Sequence, residues 1–270
     1  MPVNVGSTSS TGYLVTPTIP IRDNLQLFLD PADEKSYSGD TALIWKDLSR
    51  VNGSGNNFTL NNITNADLLQ SGYKNNFKFD GTNDYMELAS NSSVNGSTGN
   101  FTIQMWVNRE QVREEQFFTK GNFASNSAKA FAIGTSGAQV STSGQKLCCI
   151  IKPSNNFLVF ATTSDLSINQ WVNIAWTFSR TLSDNKLYMN GVEMAKSQTG
   201  GSAKEWTGAG TLLNNELTTI GATLYGSTKP LTLFHLTKSA IGPVLFYNTN
   251  LSDDDILHNY RVHANRYGLI

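Results

Sequence analysis

Hydrophobic and polar positions alternate with a period of two along most of this chain. In residues 101–108, Phe, Ile, Met and Val alternate with Thr, Gln, Trp and Asn, and residues 24–29 and 171–179 show the same pattern. Because successive side chains of a strand point to opposite faces, this pattern predicts strands that are buried on one face. Further strand-like runs, separated by clusters of Gly, Asn and Ser, lie near residues 129–133, 157–161, 217–221, 231–236 and 241–247.

Turn signals and the lack of helices between these runs predict the fold class. Asn190 and Gly191 stand between two apolar runs, and this dipeptide favours a tight hairpin because both central residues of the turn need positive φ. Many short strands without interleaved helices predict an all-β fold, a two-sheet antiparallel β-sandwich. A chain of 270 residues fits one such domain, since sandwiches extend to about 250 residues.

A short helix is predicted at the C-terminus. Ser252 is a natural N-cap, Asp255 stands at the third helical position, and Leu251 can pack against Ile256 across the helix start. Apolar residues then recur at helical spacing, and Gly268 is the predicted stop. The three aspartates at 253–255 are interpreted as first-turn capping residues rather than as metal ligands.

The first 21 residues carry no charged side chain and contain Pro17 and Pro20, which predicts an extended arm before a sandwich domain at 22–270. Two alternatives stay open: the arm lies along its own domain, or it docks on a neighbouring subunit. The apolar residues that would make the partner contact are Tyr13, Leu14, Val15, Ile19 and Ile21.

Composition narrows the classes of partner and compartment. Charged residues make up 15% of the chain and the net charge is −1, so no long-range field attracts nucleic acid or an anionic membrane. Cys148 and Cys149 are neighbours in a predicted strand, point to opposite faces and are expected to stay unbonded. The N-terminus lacks the features of a secretory signal, which predicts synthesis in the cytoplasm.

The sequence predicts no catalytic residue and no metal site. Retaining glycoside hydrolysis needs two carboxyl groups about 5–5.5 Å apart, and no predicted strand carries alternating acids. Glu114 and Glu115 are adjacent and would diverge on a strand. His258 and His263 are five residues apart, which is poor helical geometry for sharing a metal. The chain is therefore predicted not to be an enzyme.

Five segments, read in order, carry a resemblance to a known family: LQLFLD at 25–30 with WKDLS at 45–49, FDGTNDY at 79–85, FTIQMW at 101–106, WVNIAW at 171–176 with LYMNG at 187–191, and IGPVLFY at 241–247 with LSDDDI at 251–256. Together they resemble the LamG-like jelly-roll domains of the concanavalin A-like lectin/glucanase superfamily. The resemblance spans about residues 22–268. It implies two packed, curved sheets, with ligands at rim loops or on the concave face.

The resemblance also bears on the acidic stretch at 79–85. In similar domains this stretch joins two strands, so Asp80 and Gly81 are expected to start a turn that Asp84 helps to close. Some members of the family bind calcium through rim aspartates and carbonyls, but their ligand set does not match this sequence residue by residue. No cofactor is expected, and calcium is kept as the alternative.

Aromatic residues in loops are the candidate ligand contacts, because sugar sites pair aromatic faces with a few polar groups. Trp206 lies in a Gly/Ser-rich loop at 200–210, and Tyr225 lies in the stretch 222–226. Each could stack on a glycan, or each could simply anchor its loop on the sandwich.

Two functions follow from these observations. LamG-like single domains of this kind look like components of tailed-bacteriophage virions, so the chain is predicted to be a non-enzymatic virion structural protein. It would be a capsid decoration protein, a head or neck fibre, or a tail adhesin, with capsid subunits or further copies of itself as partners. The alternative is a carbohydrate-binding module or lectin that acts at a cell surface. The two overlap, because a virion protein can also bind host surface glycans.

Overall fold

A computed structural model describes residues 17–39, 43–49, 55–68, 76–89, 93–96, 99–123, 129–135, 144–153, 157–200, 212, 216–225 and 232–270. The α-helices of these residues are α1 (Asn65–Leu68) and α2 (Asp253–Ala264), and 3-10 turns cover Leu182–Asp184 and Asn265–Tyr267. The strands are β1 (Leu25–Leu29), β2 (Ile44–Trp45), β3 (Phe58–Asn61), β4 (Phe77–Lys78), β5 (Tyr85–Leu88), β6 (Phe101–Arg109), β7 (Gln116–Lys120), β8 (Ala130–Gly134), β9 (Lys146–Lys152), β10 (Leu158–Asp165), β11 (Trp171–Phe178), β12 (Lys186–Met189), β13 (Val192–Met194), β14 (Lys196–Gly200), β15 (Thr218–Ile220), β16 (Thr223–Tyr225), β17 (Thr232–Phe234) and β18 (Ser239–Tyr247).

The strands form two large antiparallel sheets, which confirms the predicted sandwich with its short C-terminal helix. The seven-stranded sheet has the order β1-β18-β6-β11-β12-β13, with β4 also paired to β18. The nine-stranded sheet has the order β14-β10-β9-β8-β7-β15-β5-β3-β2. A separate two-stranded hairpin joins β16 to β17. Since β1 pairs with β18, the chain ends of the sandwich meet in one sheet.

A single large apolar core lies between the sheets. Phe101 of β6 stacks on Phe131 of β8, with ring centroids 4.5 Å apart, so the two sheets meet through aromatic faces. Trp45 and Trp176 are fully buried in the same core. Cys149 belongs to this core, whereas Cys148 points to the other face of β9, and neither cysteine is in a disulfide.

The outer face of the seven-stranded sheet is covered by α2. Ser252 Oγ accepts a hydrogen bond from Asp255 N at 3.2 Å and Asp255 Oδ2 accepts one from Ser252 N at 3.2 Å, which confirms the predicted capping box. Ile256 is fully buried in a cluster that includes residues of β1, β11, β12 and β18. Gln104 of β6 donates to the Ile256 carbonyl at 3.0 Å, so a polar contact adds to the apolar one.

Two turns adopt the backbone that their residues favour. Asn190 and Gly191 have φ values of 51° and 78°, which confirms the predicted hairpin between β12 and β13. After α2, the chain makes a 3-10 turn and leaves helical geometry at Gly268, whose φ is 70°. Among the described residues, no helix has the length and apolar character needed to cross a membrane.

Candidate functional site

The outer face of the nine-stranded sheet is the candidate binding face, because α2 occupies the corresponding face of the other sheet. Strand register places seven residues in one row across this face: Thr59, Glu87, Thr219, Thr119, Ala132, Ile150 and Val159. We call these residues the outer row. They come from seven strands, so the row is a property of the assembled sheet and not of any one segment.

The outer row changes from polar to apolar along its length. At the β3 end, Thr59 is exposed and Glu87 is half-buried, while Thr219 and Thr119 are buried. A parallel row places Asn61 opposite Tyr85, and both side chains are half-buried. This end therefore offers hydroxyl, amide and carboxylate groups beside one aromatic ring, which is the mixture that sugar sites use.

The other end of the row is closed to ligands. Ala132, Ile150 and Val159 are at most 2% exposed and pack with Phe123 and Phe157, whose rings stack 6.1 Å apart. We infer that this end is structural.

The β16–β17 hairpin lies against this face of the sheet. Thr223 Oγ1 of β16 is 3.5 Å from Thr119 Oγ1 in the outer row. The backbone of Tyr225, a predicted glycan contact, is in the same strand two residues later. Its side chain lies outside the described residues, as does the whole of Trp206. The stacking roles of both residues stay predictions.

The acidic stretch at 79–85 forms a turn. Asp84 Oδ2 accepts from Asp80 N at 2.8 Å, and Asp80 Oδ1 accepts from Thr82 N at 2.7 Å, as expected for a turn closed by side chains. Burial raises the pKa of Asp84 to about 6, and the neighbouring Asp80 carboxylate adds to this effect. Burial also acts on Asp80, but hydrogen bonds from the Thr82 and Asn83 N–H groups outweigh it and hold the pKa of Asp80 below its ordinary value.

Several other carboxylates are engaged in structural contacts. Glu115 pairs with Arg109 at 3.1 Å, and both side chains are fully buried. Arg266 holds Asp30 through two bonds of 2.7 and 2.9 Å. Glu114 lies 3.7 Å from His235, so it diverges from its neighbour Glu115 as expected. These acids join segments of the fold and do not face one another.

Among the described residues, no group of three or more His, Cys, Asp or Glu side chains is placed to hold a metal ion. The two helical histidines have separate partners. His258 Nε2 donates to the Ile19 carbonyl at 2.9 Å, whereas His263 Nε2 lies 3.5 Å from Asp30 Oδ2.

The end of the arm lies on its own domain. Asn259 Oδ1 accepts from Ile21 N at 2.9 Å, and the Ile21 carbonyl accepts from the Tyr247 hydroxyl at 3.0 Å. The Ile19 side chain is 57% exposed, although its carbonyl is bound by His258. The other predicted arm contacts, Tyr13, Leu14 and Val15, lie outside the described residues. Partner binding by the arm stays a prediction.

The sequence matches a laminin G family model, described as the concanavalin A-like lectin/glucanases superfamily, over residues 80–257. The chain belongs to this superfamily. No curated protein matches the chain. The matched region begins at the Asp80 turn and ends inside α2, so it includes the outer row from Glu87 to Val159 but not Thr59.

Solved structures similar to this superfamily member are binding domains of bacterial toxins. The binding domain of Paraclostridial Mosquitocidal Protein 1 aligns with a TM-score of 0.59 and 16% identity, covering 88% of this chain and 52% of that one. The receptor binding domain of botulinum neurotoxin C/D mosaic serotype aligns with a TM-score of 0.57 and 16% identity, covering 89% and 51%. A structure of botulinum neurotoxin type C, whose cell entry depends on interaction with two ganglioside molecules, aligns with a TM-score of 0.55 and 15% identity. The alignment covers 88% of this chain and 51% of that one. At these identities the likeness shows the fold alone. The chain spans about half the length of those structures.

Sequence reasoning missed the polar end of the outer row. The signal was available in part, because Thr59 and Asn61 alternate with the buried Phe58 and Leu60. The pairing of β5 with β15, which brings Glu87 next to Thr219, has no local signal.

Proposed function

We propose that this chain is a non-enzymatic adhesion domain that recognises carbohydrate on a cell surface. The observation that carries the proposal is the outer row, in which the exposed end presents the Glu87 carboxylate beside the Thr59 hydroxyl. Retaining hydrolysis needs a pair of carboxyl groups, whereas recognition needs polar groups of mixed type beside an aromatic ring. Tyr85, opposite Asn61 in the parallel row, supplies the aromatic side of this arrangement.

The superfamily and the fold of its structural neighbours support this proposal. Two of the neighbours are binding domains of toxins. A third is a structure of botulinum neurotoxin type C, whose cell entry depends on interaction with two ganglioside molecules. The same fold in this chain leaves the β3–β5 end of the outer row accessible to a ligand. No step of a chemical reaction is needed for that role.

A glycan array, probed with the full chain with and without calcium, tests recognition. We expect retention of at least one glycan, and a loss of about 1–3 kcal/mol of binding free energy in Tyr225→Ala or Trp206→Ala, the size of a stacked aromatic contact in nucleic-acid systems. Val192→Ala is the matched control, because Val192 is 62% exposed on β13 of the other sheet. An array that retains nothing under either condition would reject the proposal.

The assembly that carries this domain is, in our proposal, the virion of a tailed bacteriophage, where it serves as a tail adhesin or as a head decoration. The uncharged arm supports attachment to neighbouring virion proteins. Mass spectrometry of purified particles tests the location, and we expect peptides of this chain in the particle fraction. Peptides found solely in the host envelope would instead favour a cell-surface lectin.

A further inference from the structure

A groove of about 540 Å³ lies beside the edge of β1, in the seven-stranded sheet. Phe28 and Leu48 contribute apolar surface to it, and Arg22, Lys35, Asp33 and Asp47 contribute charge. Its size falls within the range of ligand pockets, about 300–1,000 Å³. A second groove of about 550 Å³ shares Asp33 and Lys35 with it, so the two form a continuous depression.

The walls of the groove are held firmly. Phe28 N donates to Asp47 Oδ1 at 2.9 Å, and Leu48 N donates to the Phe28 carbonyl at 2.8 Å, so the loop at 47–49 seals the edge of β1. Arg22 extends over Phe28, with Cζ 5.3 Å from the ring centroid. A ligand would therefore meet a preformed wall on this side.

The acidic groups of the groove are largely occupied, but the basic ones are not. Asp47 accepts four hydrogen bonds, from Phe28 N, Ser49 N, Ser49 Oγ and Asn56 N, at 2.7–2.9 Å. Arg22 makes one long hydrogen bond, 3.4 Å to the Leu48 carbonyl, although a guanidinium has five N–H donors. No described residue accepts a hydrogen bond from the Lys35 ammonium. Asp33 uses Oδ1 to accept from Lys35 N at 2.9 Å and keeps Oδ2 as an acceptor.

We propose that this groove binds an acidic sugar, a pyranose ring that carries a carboxylate. Arg22 and Lys35 donate to the carboxylate, Asp33 accepts from ring hydroxyls, and Leu48 contacts the apolar face of the ring. The choice of a sugar acid over other small molecules that carry a carboxylate rests on the proposed function. The carboxylates of Asp33 and Asp47 in the lining disfavour a ligand of higher charge, such as a phosphate, because they repel it more strongly than they repel a singly charged carboxylate.

Calorimetric titration of the full chain tests the groove with three probes: a glucuronic acid-terminated disaccharide, sialyllactose and neutral lactose. We expect one or both acidic probes to bind, and Arg22→Gln or Lys35→Gln to weaken that binding about tenfold, the loss of one charge-assisted hydrogen bond. Arg261→Gln is the matched control, since it removes one exposed positive charge from α2. It should leave binding unchanged. Comparison of the two acidic probes shows whether a uronate or a sialate is preferred.

The outcomes separate this inference from the proposed function. If the glycan array retains neutral sugars but neither acidic probe binds, the groove proposal is rejected and the proposed function stands. If acidic probes bind equally well to the Arg22→Gln/Lys35→Gln double variant, the groove is again rejected. If no glycan of any kind is retained, both proposals are rejected. Equal melting temperatures of the variants and the unaltered chain exclude unfolding as the cause of lost binding.

Discussion

Nε of Arg109 lies 3.1 Å from Oε2 of Glu115, and both side chains are fully buried. Arg109 ends β6 in one sheet, and Glu115 immediately precedes β7 in the other, so the pair joins the two sheets. The remaining donors of Arg109 reach the carbonyls of Leu166, Arg113 and Gly144, and Glu115 Oε1 accepts from Lys238 N at 2.6 Å. The pair is stable in the interior because nearly every polar atom in it has a partner.

Removing one member of this pair should be costly. We expect Glu115→Ala to lower the free energy of unfolding by about 3–5 kcal/mol, because it leaves a buried guanidinium without its counter-charge. The double variant Arg109→Met/Glu115→Leu should recover part of that loss but not all of it, because it leaves the Leu166 and Gly144 carbonyls and the Lys238 N–H without their partners. Urea denaturation measures both.

The control for this prediction is an exposed ion pair. Asp165 contacts Lys146 at 2.6 Å with a side chain that is 64% exposed, so Asp165→Asn should cost at most about 1 kcal/mol. Equal losses in Glu115→Ala and Asp165→Asn would show that burial of the Arg109 pair has no special energetic consequence.

Asp84 should make stability depend on pH. Burial raises its pKa from 3.8 to about 6 in the folded chain, so the native state holds a proton that the unfolded chain releases. The contribution of Asp84 to the free energy of unfolding is therefore greatest below about pH 4 and declines as the pH rises to about 6. Asp84→Asn should flatten this decline and stabilise the chain at pH 7 by about 1–2 kcal/mol, since the amide oxygen can still accept from Asp80 N. Thermal unfolding between pH 4 and pH 7 measures the slope, and an unchanged slope in the variant would contradict the assignment.

Two glycines with similar backbone angles should respond differently to alanine. Gly268 has φ +70° and nothing within 4 Å of an added Cβ, so Gly268→Ala should cost about 1 kcal/mol of backbone strain. Gly221 has φ +88°, and an added Cβ would overlap the buried ring of Phe79. Gly221→Ala should therefore cost about 2 kcal/mol more than Gly268→Ala. Similar melting temperatures for the two variants would mean that Phe79 can move aside at little cost.

The sequence predicts strands correctly where a strand is buried on one face only, and it predicts turns and helix ends where local residues determine them. The alternation in β6 and β11, the hairpin at Asn190 and the capping box at Ser252 each depend on local residue chemistry, and the structure confirms them. Strand β7 shows no alternation because all five of its residues are buried, with the core on one side and the β16–β17 hairpin on the other. It was missed for that reason.

Long-range pairing explains what else was missed. The outer row joins Glu87 to Thr219 across a sequence separation that local patterns do not encode. The groove beside β1 depends on a similar contact, since Asp47 reaches back to Phe28 from a separate loop. Its position at the end of a strand would suggest that Arg109 is an ordinary surface arginine. Its burial depends on the carbonyls of Leu166 and Gly144, from two distant segments, and of Arg113, four residues away.

Titration of the glycan best retained on the array against Glu87→Gln tests the central claim that the outer face of the nine-stranded sheet recognises carbohydrate. We predict affinity at least tenfold weaker, because the variant replaces a charged hydrogen-bond acceptor with a neutral amide of the same shape, a loss of about 1.5–3 kcal/mol. Val192→Ala, on the other sheet, should bind as the unaltered chain does. Full affinity in Glu87→Gln would place recognition elsewhere and contradict the account.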